Sequence, residues 1–217
     1  MEQFLSTVTL PTDSQVTRTT ASNQHAYIYA GFEGGKGANS KTYSTDMGVT
    51  LSSTAGPNQN IWGWKPALTL KDQNGNLIAT PLVSGYAEVQ YKNAYKMGSP
   101  VSMYWYYNTG SGTVKMKIIG TAYYATREAV GSETQLTTIM ESNSTPAITS
   151  ISKWKLLTTV TAANCKNYAV FSKVSLNGSP GTAIGSSYFP AAECTSGSSI
   201  TRSTSGGYQV LTMNVNS

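Results

Sequence analysis

Short strand-like runs recur along the chain, and they constrain its fold more than any other feature. Apolar or alternating runs are separated by clusters of Gly, Asn, Ser and Pro. No window longer than about ten residues carries the apolar repeat of three to four that marks a surface helix. The spacing predicts an all-β domain, a sandwich or a barrel, rather than alternating strands and helices. The predicted strands cover residues 26–32, 46–51, 67–71, 77–83, 86–92, 101–107, 113–124, 135–140, 151–161, 167–176 and 208–215.

The first part of the chain lacks this pattern. Residues 6–24 are polar and carry no sustained period, so residues 1–24 are interpreted as a leader or an edge strand, and residues 25–217 as one β domain. No stretch approaches the ~20 apolar residues that span a bilayer, and no signal-like segment begins the chain. We therefore expect no transmembrane segment, and a start at Met1 that follows removal of a signal peptide.

Few residues are charged. Asp, Glu, Lys and Arg make up 12% of the chain, against roughly 25% in average soluble domains. A surface solvated by Ser, Thr, Asn and Tyr is common in exported β proteins, so the composition predicts a secreted protein. In that setting Cys165 and Cys194 are expected to form one disulfide, worth roughly 3–4 kcal/mol, and the alternative is two separate buried thiols.

The basic residues are spread out rather than gathered into one run. The net charge is +5, and the lysines include alternating pairs such as Lys115 with Lys117 and Lys153 with Lys155. This scatter argues against nucleic acid as a partner. A mild positive field instead favours anionic surfaces such as wall polymers or acidic lipid headgroups, through an attraction that salt weakens.

The clearest local unit is a hairpin that runs from Val101 through a turn at 109–112 into the strand from Thr113. Directly opposed residues share one face of a sheet, so aligning Asn108 with Thr113 fixes the faces. The inward pairs are then Tyr107–Val114, Trp105–Met116 and Met103–Ile118, and the outward pairs are Tyr106–Lys115 and Tyr104–Lys117. Asn-Gly pairs predict further hairpins at residues 72–76 and 177–178.

Nucleophilic and metal chemistry have little support in the sequence. A Ser-His-Asp mechanism would need His25, the single histidine, and no Gly-x-Ser-x-Gly elbow surrounds a serine. The segment Asp72-x-Asn74-x-Asn76 resembles the start of a calcium loop, but Leu77 and Val83 occupy positions that need Gly and a bidentate Glu. We expect no metal site and no cofactor.

Glycoside hydrolysis needs two carboxylates that flank one bond. Glu88 lies in an alternating strand, and the pattern Glu-x-Asp-x-x-Glu of sandwich-fold glucanases is absent. An enzyme that uses Glu88 with a partner from another strand is the weakest of three functional hypotheses. Whether the chain is an enzyme stays open, and its few acid and base groups favour a non-catalytic protein.

Aromatic side chains supply the candidate ligand-binding surface. Sugars present apolar C–H faces that stack on rings, with polar rims that suit amides, carboxylates and lysines. Core or lid packing explains the tryptophans at least as well as ligand stacking does, and tyrosines are common on β surfaces in general. The candidate residues are Trp62, Trp64, Tyr86, Glu88, Gln90, Tyr104, Tyr106, Lys115 and Lys117.

Three segments of the chain resemble the YrpD-like proteins, uncharacterised secreted proteins of Gram-positive bacilli. These segments are Ala26-Tyr27-Ile28-Tyr29-Ala30-Gly31-Phe32, Asp46-Met47-Gly48-Val49 and Trp62-Gly63-Trp64-Lys65-Pro66, and the similarity continues from Gly98 to Tyr124, over about half of the chain. The resemblance implies a jelly-roll or concanavalin-like sandwich of two antiparallel sheets with a concave face. It implies no activity and no catalytic residues.

These observations favour a secreted, non-catalytic protein that binds carbohydrate or an anionic cell-surface polymer through rings on one sheet. The second hypothesis is a membrane-active or toxin-like β protein with peripheral membrane contact, because exposed rings and lysines also suit lipid headgroups.

Overall fold

The computed structural model describes residues 2–19, 25–36, 42–53, 62–84, 94–125, 130–143, 148, 151–180 and 197–216. Strands and turns make up these residues, apart from one 3₁₀ helix at Asp13–Gln15. The all-β prediction is confirmed. The strands are β1 (Glu2–Thr9), β2 (Ala26–Lys36), β3 (Thr42–Ser53), β4 (Trp62–Lys71), β5 (Leu77–Ile78), β6 (Leu82–Ser84), β7 (Pro100–Asn108), β8 (Thr113–Ala125), β9 (Val130–Glu141), β10 (Ile151–Val160), β11 (Lys166–Leu176), β12 (Ser179–Pro180), β13 (Ser199–Ser205) and β14 (Tyr208–Asn216).

Two antiparallel sheets form a sandwich. Within the described residues, the larger sheet has nine strands in the order β13-β14-β11-β1-β7-β8-β9-β6, with β12 added beside β11. The smaller sheet has five strands in the order β10-β2-β3-β4-β5. The inward side chains of both sheets form one apolar core, so the predicted two-sheet sandwich is confirmed.

Aromatic side chains from both sheets meet in this core. Phe4 and Trp105 come from the larger sheet, and Phe32 and Trp154 come from the smaller one. The ring centroid of Phe4 lies 5.6 Å from that of Trp105 and 5.3 Å from that of Trp154. The ring centroids of Phe32 and Trp154 are also 5.3 Å apart. The Nε1 of Trp105 also donates a hydrogen bond of 2.7 Å to the carbonyl oxygen of Met47. This bond ties the two sheets together across the core.

The β7–β8 hairpin has the register that its alternation predicts. Asn108 pairs with Thr113, and every pair that follows from this alignment is present. The inward residues of both strands, Met103 to Tyr107 and Val114 to Ile118, are fully buried, and the residues between them are partly exposed. Both the register and the assignment of faces are therefore confirmed.

The start of the chain corrects the sequence interpretation. Residues 2–9 form β1, which pairs with β7 on one side and β11 on the other, in the interior of the larger sheet. They are neither a leader nor an edge strand. Phe4, Ser6 and Val8 point inward and are buried, and the hydroxyl of Ser6 donates to the carbonyl oxygen of Ser172. A serine at an inward position hid the apolar alternation.

The two predicted tight turns are confirmed. Lys71 pairs with Leu77 around the turn at Asp72–Asn76. Leu176 pairs with Ser179 around Asn177 and Gly178, whose φ angles are 50° and 80°. Two successive positive φ angles are those of a type I′ turn, which Asn-Gly adopts readily.

The predicted disulfide stays a prediction. Cys165 is buried and directly precedes β11, and Cys194 lies outside the described residues. In the described part of the chain, no helix is long and apolar enough to cross a bilayer.

Candidate functional site

The outward side of the larger sheet brings together four of the predicted ligand-binding residues. Because β1, β7, β8 and β9 are neighbours, their outward residues form two rows across the sheet. All eight side chains are partly exposed. The rows are Leu5–Tyr104–Lys117–Ile139 and Gln3–Tyr106–Lys115–Glu141, and we call these residues the outer patch.

Two parallel tyrosines lie at the centre of the outer patch. The rings of Tyr104 and Tyr106 are stacked with 2° between their planes and 6.2 Å between their centroids. This distance is close to the roughly 6.8 Å repeat of alternate residues in a strand, so the strand itself sets the spacing. The Nζ of Lys117 lies 5.8 Å from the centroid of the Tyr104 ring, within the range of a cation–π contact.

The charges of the outer patch are only partly neutralised. The Nζ of Lys115 lies 3.6 Å from Oε2 of Glu141, and both side chains are about one third exposed. An exposed ion pair of this kind contributes little, and water or a ligand can replace it. Lys117 adds a second ammonium group on the same outward face of the sheet. The patch therefore has a net positive charge.

The phenol of Tyr106 is a stable hydrogen-bond donor. Burial of the ring, and then the neighbouring Tyr104, raise the pKa of Tyr106 above its ordinary value. The hydroxyl accordingly stays protonated at neutral pH. Phenol and ammonium donors beside each other suit a ligand rich in oxygen atoms or negative charge.

For Trp64 the structure selects core packing, the alternative to ligand stacking. Trp64 is fully buried, at 0% exposure. Its backbone exchanges two hydrogen bonds with Tyr95, which lies between the sheets and also forms a bridge to Ala122 of β8. Trp62 points the same way along β4 and packs partly buried against the core. Neither tryptophan belongs to the outer patch, because both face the core from the smaller sheet. The sequence could not show this, because alternation alone does not tell which face of a strand is inward.

The remaining predicted residues, Tyr86, Glu88 and Gln90, lie outside the described residues. They stay predictions.

The turn at Asp72 uses its carboxylate for its own backbone. Oδ1 of Asp72 accepts hydrogen bonds from the backbone N–H groups of Asn74 and Asn76, at 2.8 and 2.9 Å, and Oδ2 accepts one from Nδ2 of Asn76 at 3.0 Å. These bonds lower the pKa of Asp72. The pattern Asp72-x-Asn74-x-Asn76, which resembles the start of a calcium loop, is therefore explained by hydrogen bonds within the turn. Among the described residues no group of three His, Cys, Asp or Glu side chains could hold a metal ion.

A polar groove lies elsewhere, beside this turn at one end of the smaller sheet. It has a volume of about 420 Å³. The residues that line it include acidic and basic side chains but no aromatic ring. Ser44 lies between Glu33 and Lys71 on adjacent strands. This groove is the competing location for a ligand.

Sequence reasoning missed half of the outer patch. Gln3 and Leu5 enter it from β1, about a hundred residues before their partners on β7, and Ile139 and Glu141 enter it from β9. Only the strand order brings these residues together. Phe4 and Val8, four residues apart with Ser6 between them, are the incomplete signal of alternation in β1.

The fold and the patch define a class: an antiparallel β-sandwich with an open, aromatic and basic sheet face. A family model described as "Domain of unknown function, YrpD" matches residues 2–204 of the chain. The chain belongs to this family, and the match extends well beyond the first half that the sequence resemblance covers. No curated protein matches the chain.

Proposed function

We propose that the protein is a secreted, non-catalytic binding protein that recognises an anionic carbohydrate polymer through the outer patch. The observation that carries the proposal is the parallel pair of Tyr104 and Tyr106 beside Lys115 and Lys117 on an open sheet face.

The shape of the patch favours a polymer over a small molecule. Sites for small ligands are usually concave and enclose most of the ligand. The outer patch is instead a regular sheet surface on which side chains repeat along the strands and across them. A chain of repeating units can contact such a surface at several points, and each contact needs only modest strength.

The chemistry of the patch favours an anionic sugar chain. The rings and Leu5 offer apolar area to C–H groups, and the phenol and ammonium groups donate hydrogen bonds to hydroxyl and carboxylate oxygens. The chain as a whole carries a charge of +5, which would attract a polyanion from a distance at low salt. Binding should therefore weaken as salt increases.

A polysaccharide panel tests the proposal. We expect the protein to bind polygalacturonate, which is anionic, and to bind neutral dextran much more weakly. The double variant Tyr104→Ala/Tyr106→Ala should lower the affinity for polygalacturonate at least tenfold. Tyr168→Ala is the matched control, because Tyr168 is partly exposed on β11, remote from the patch. No binding by the unchanged protein, or equal loss in the control, would contradict the proposal.

The lysines have a separate test. Lys115→Gln/Lys117→Gln should reduce both the affinity and its salt dependence. Arg18→Gln/Lys166→Gln removes the same charge near the 3₁₀ helix, and we expect it to change the affinity far less. Equal effects of the two variants would mean that net charge acts without the patch. Leakage from anionic lipid vesicles without polysaccharide binding would favour the membrane hypothesis instead.

We also propose that the protein acts outside the cell with Cys165 and Cys194 joined by a disulfide. The low charge content and the burial of Cys165 support this. Intact mass measured with and without reductant tests the bond, because reduction adds two hydrogen atoms. An unchanged mass after reduction would exclude it.

A further inference from the structure

The outward side of the smaller sheet carries a second set of tyrosines beside lysines. Tyr27 and Tyr29 alternate on β2 with buried Ala26, Ile28 and Ala30, so both point outward. They are partly exposed.

The neighbouring strand β10 supplies the lysines. In the antiparallel register, Leu157 lies opposite Tyr29, and Lys155 lies opposite Gly31, the next outward position. Lys153 follows opposite Glu33. A Tyr-x-Tyr strand next to a Lys-x-Lys strand thus occurs on the outward face of both sheets. We call Tyr27, Tyr29, Lys153 and Lys155 the second patch.

Gly31 allows Lys155 to lie flat on the second patch. A Cβ at Gly31 would overlap Cε of Lys155, so the lysine side chain crosses the glycine. Its Nζ then reaches Oδ1 of Asp46 at 3.1 Å, and its side chain keeps 28% exposure. This ion pair holds the ammonium group close to the sheet surface.

The neighbours of Tyr29 on the other side are small, and the nearer of them is buried. The neighbour on β3 is Gly48, and the next residue across on β4 is Ala67. Neither adds a side chain larger than a methyl group. Burial, and then Asp46, raise the pKa of Tyr29, so this phenol also stays protonated at neutral pH.

The charges on this face complement an anionic ligand. Among the described residues, the strand register places four lysines and two carboxylates on the outward face, an excess of two positive charges. Lys155 and Asp46 form the ion pair described above, and burial lowers the pKa of Lys65. The lysines are Lys65, Lys71, Lys153 and Lys155, and the carboxylates belong to Glu33 and Asp46.

The two patches face in opposite directions. They lie on the outward sides of sheets that pack against each other through one core, and packed sheets are about 10 Å apart. A single stretch of polymer that lies on one face therefore leaves the other face free.

We propose that the protein binds two anionic polysaccharide chains at once, one on each patch, and so cross-links them. This inference rests on the proposed function, since it assigns the same ligand class to the second patch. A cross-linker gains strength from many weak contacts, because each bound chain holds the protein close to further sites.

Light scattering and calorimetry with polygalacturonate test the inference. With the unchanged protein, scattering should rise at intermediate ratios of protein to polymer and fall again when protein is in excess, because excess protein saturates each chain separately. A short galacturonate oligomer should bind with a stoichiometry of two per protein.

Variants of the two patches should act separately. Tyr104→Ala/Tyr106→Ala and Tyr27→Ala/Tyr29→Ala should each reduce the stoichiometry from two to one and abolish the scattering, while binding continues at the other patch. Lys153→Glu reverses an exposed charge without touching the buried part of Tyr29, so it tests the second patch if the tyrosine variant folds poorly. It should also reduce scattering. The Arg18→Gln/Lys166→Gln control should scatter as the unchanged protein does.

The outcomes separate the two proposals. A stoichiometry of one in the unchanged protein, with no scattering and with binding lost only in Tyr104→Ala/Tyr106→Ala, would overturn cross-linking and leave the proposed function standing. No binding of polygalacturonate at all would overturn both.

Discussion

Replacing Trp105 by Phe should destabilise the protein far more than a similar change one residue away. Trp105 is fully buried, and its Nε1 is the donor to the carbonyl oxygen of Met47 in the opposite sheet. Phe keeps most of the apolar area but has no donor. Losing this buried hydrogen bond costs roughly 0.5–1.5 kcal/mol. A void of roughly 40 Å³, the size difference between the side chains, adds about 1 kcal/mol.

The expected loss in the free energy of unfolding is therefore about 1.5–2.5 kcal/mol, measured by urea denaturation followed by circular dichroism. For a domain of this size, each kcal/mol lowers the melting temperature by about 2–4 °C. Tyr104→Phe is the matched control, because it removes a hydroxyl from the outward side of the same strand. It should change the stability by no more than about 0.5 kcal/mol. Equal effects of the two variants would refute the assignment of faces.

Three further predictions concern single residues. Gly31→Ala should destabilise the fold by about 1–3 kcal/mol in urea denaturation, because its Cβ would overlap the carbonyl oxygen of Thr45, whereas Gly110→Ala, with its Cβ at 3.4 Å from the nearest atom, should be tolerated. Asn167→Ala should cost roughly 2–4 kcal/mol in the same assay, since the buried amide donates two 3.0 Å hydrogen bonds to backbone carbonyl groups of the smaller sheet; a near-neutral effect would contradict this role. The carboxyl of Asp72 should titrate by NMR below its ordinary value of 3.8, so its stabilisation of the turn is present above the unfolded pKa and disappears as pH falls through the folded pKa; a midpoint at or above 3.8 would exclude these hydrogen bonds in solution.

The sequence predicts structure best where alternation is sharp and a turn is close. In β7 the inward residues Met103 and Trp105 alternate with Tyr104 and Tyr106, and the turn at 109–112 fixes which residue of β8 lies opposite. Both the register and the exposed faces of this hairpin follow from local sequence. Half of the outer patch could be predicted for this reason.

Prediction fails where alternation is hidden or where it does not identify the inward face. Ser6 points inward in β1, so the strand looks polar. In β13 most side chains are exposed on both sides, and the run Ser-Ile-Thr-Arg-Ser-Thr-Ser has no apolar face to find. The Trp62-Gly63-Trp64 segment alternates clearly, yet only its contacts with Tyr95 and the core show that its tryptophans are inward.

The second patch depends on pairing between distant strands. The sequence shows Tyr27 and Tyr29 in one segment and Lys153 and Lys155 in another, more than a hundred residues later. Nothing in either segment indicates that β2 and β10 are neighbours. Long-range pairing decides this arrangement, and local patterns do not contain it.

The most direct test of the account is an NMR titration of isotope-labelled protein with a galacturonate oligomer. We expect the largest amide shift changes at Tyr104, Tyr106, Lys115 and Lys117, with further changes at Tyr27 and Tyr29. Changes confined to the groove at Glu33 and the Asp72 turn, or the absence of any change, would contradict the claim that the open sheet faces bind the ligand.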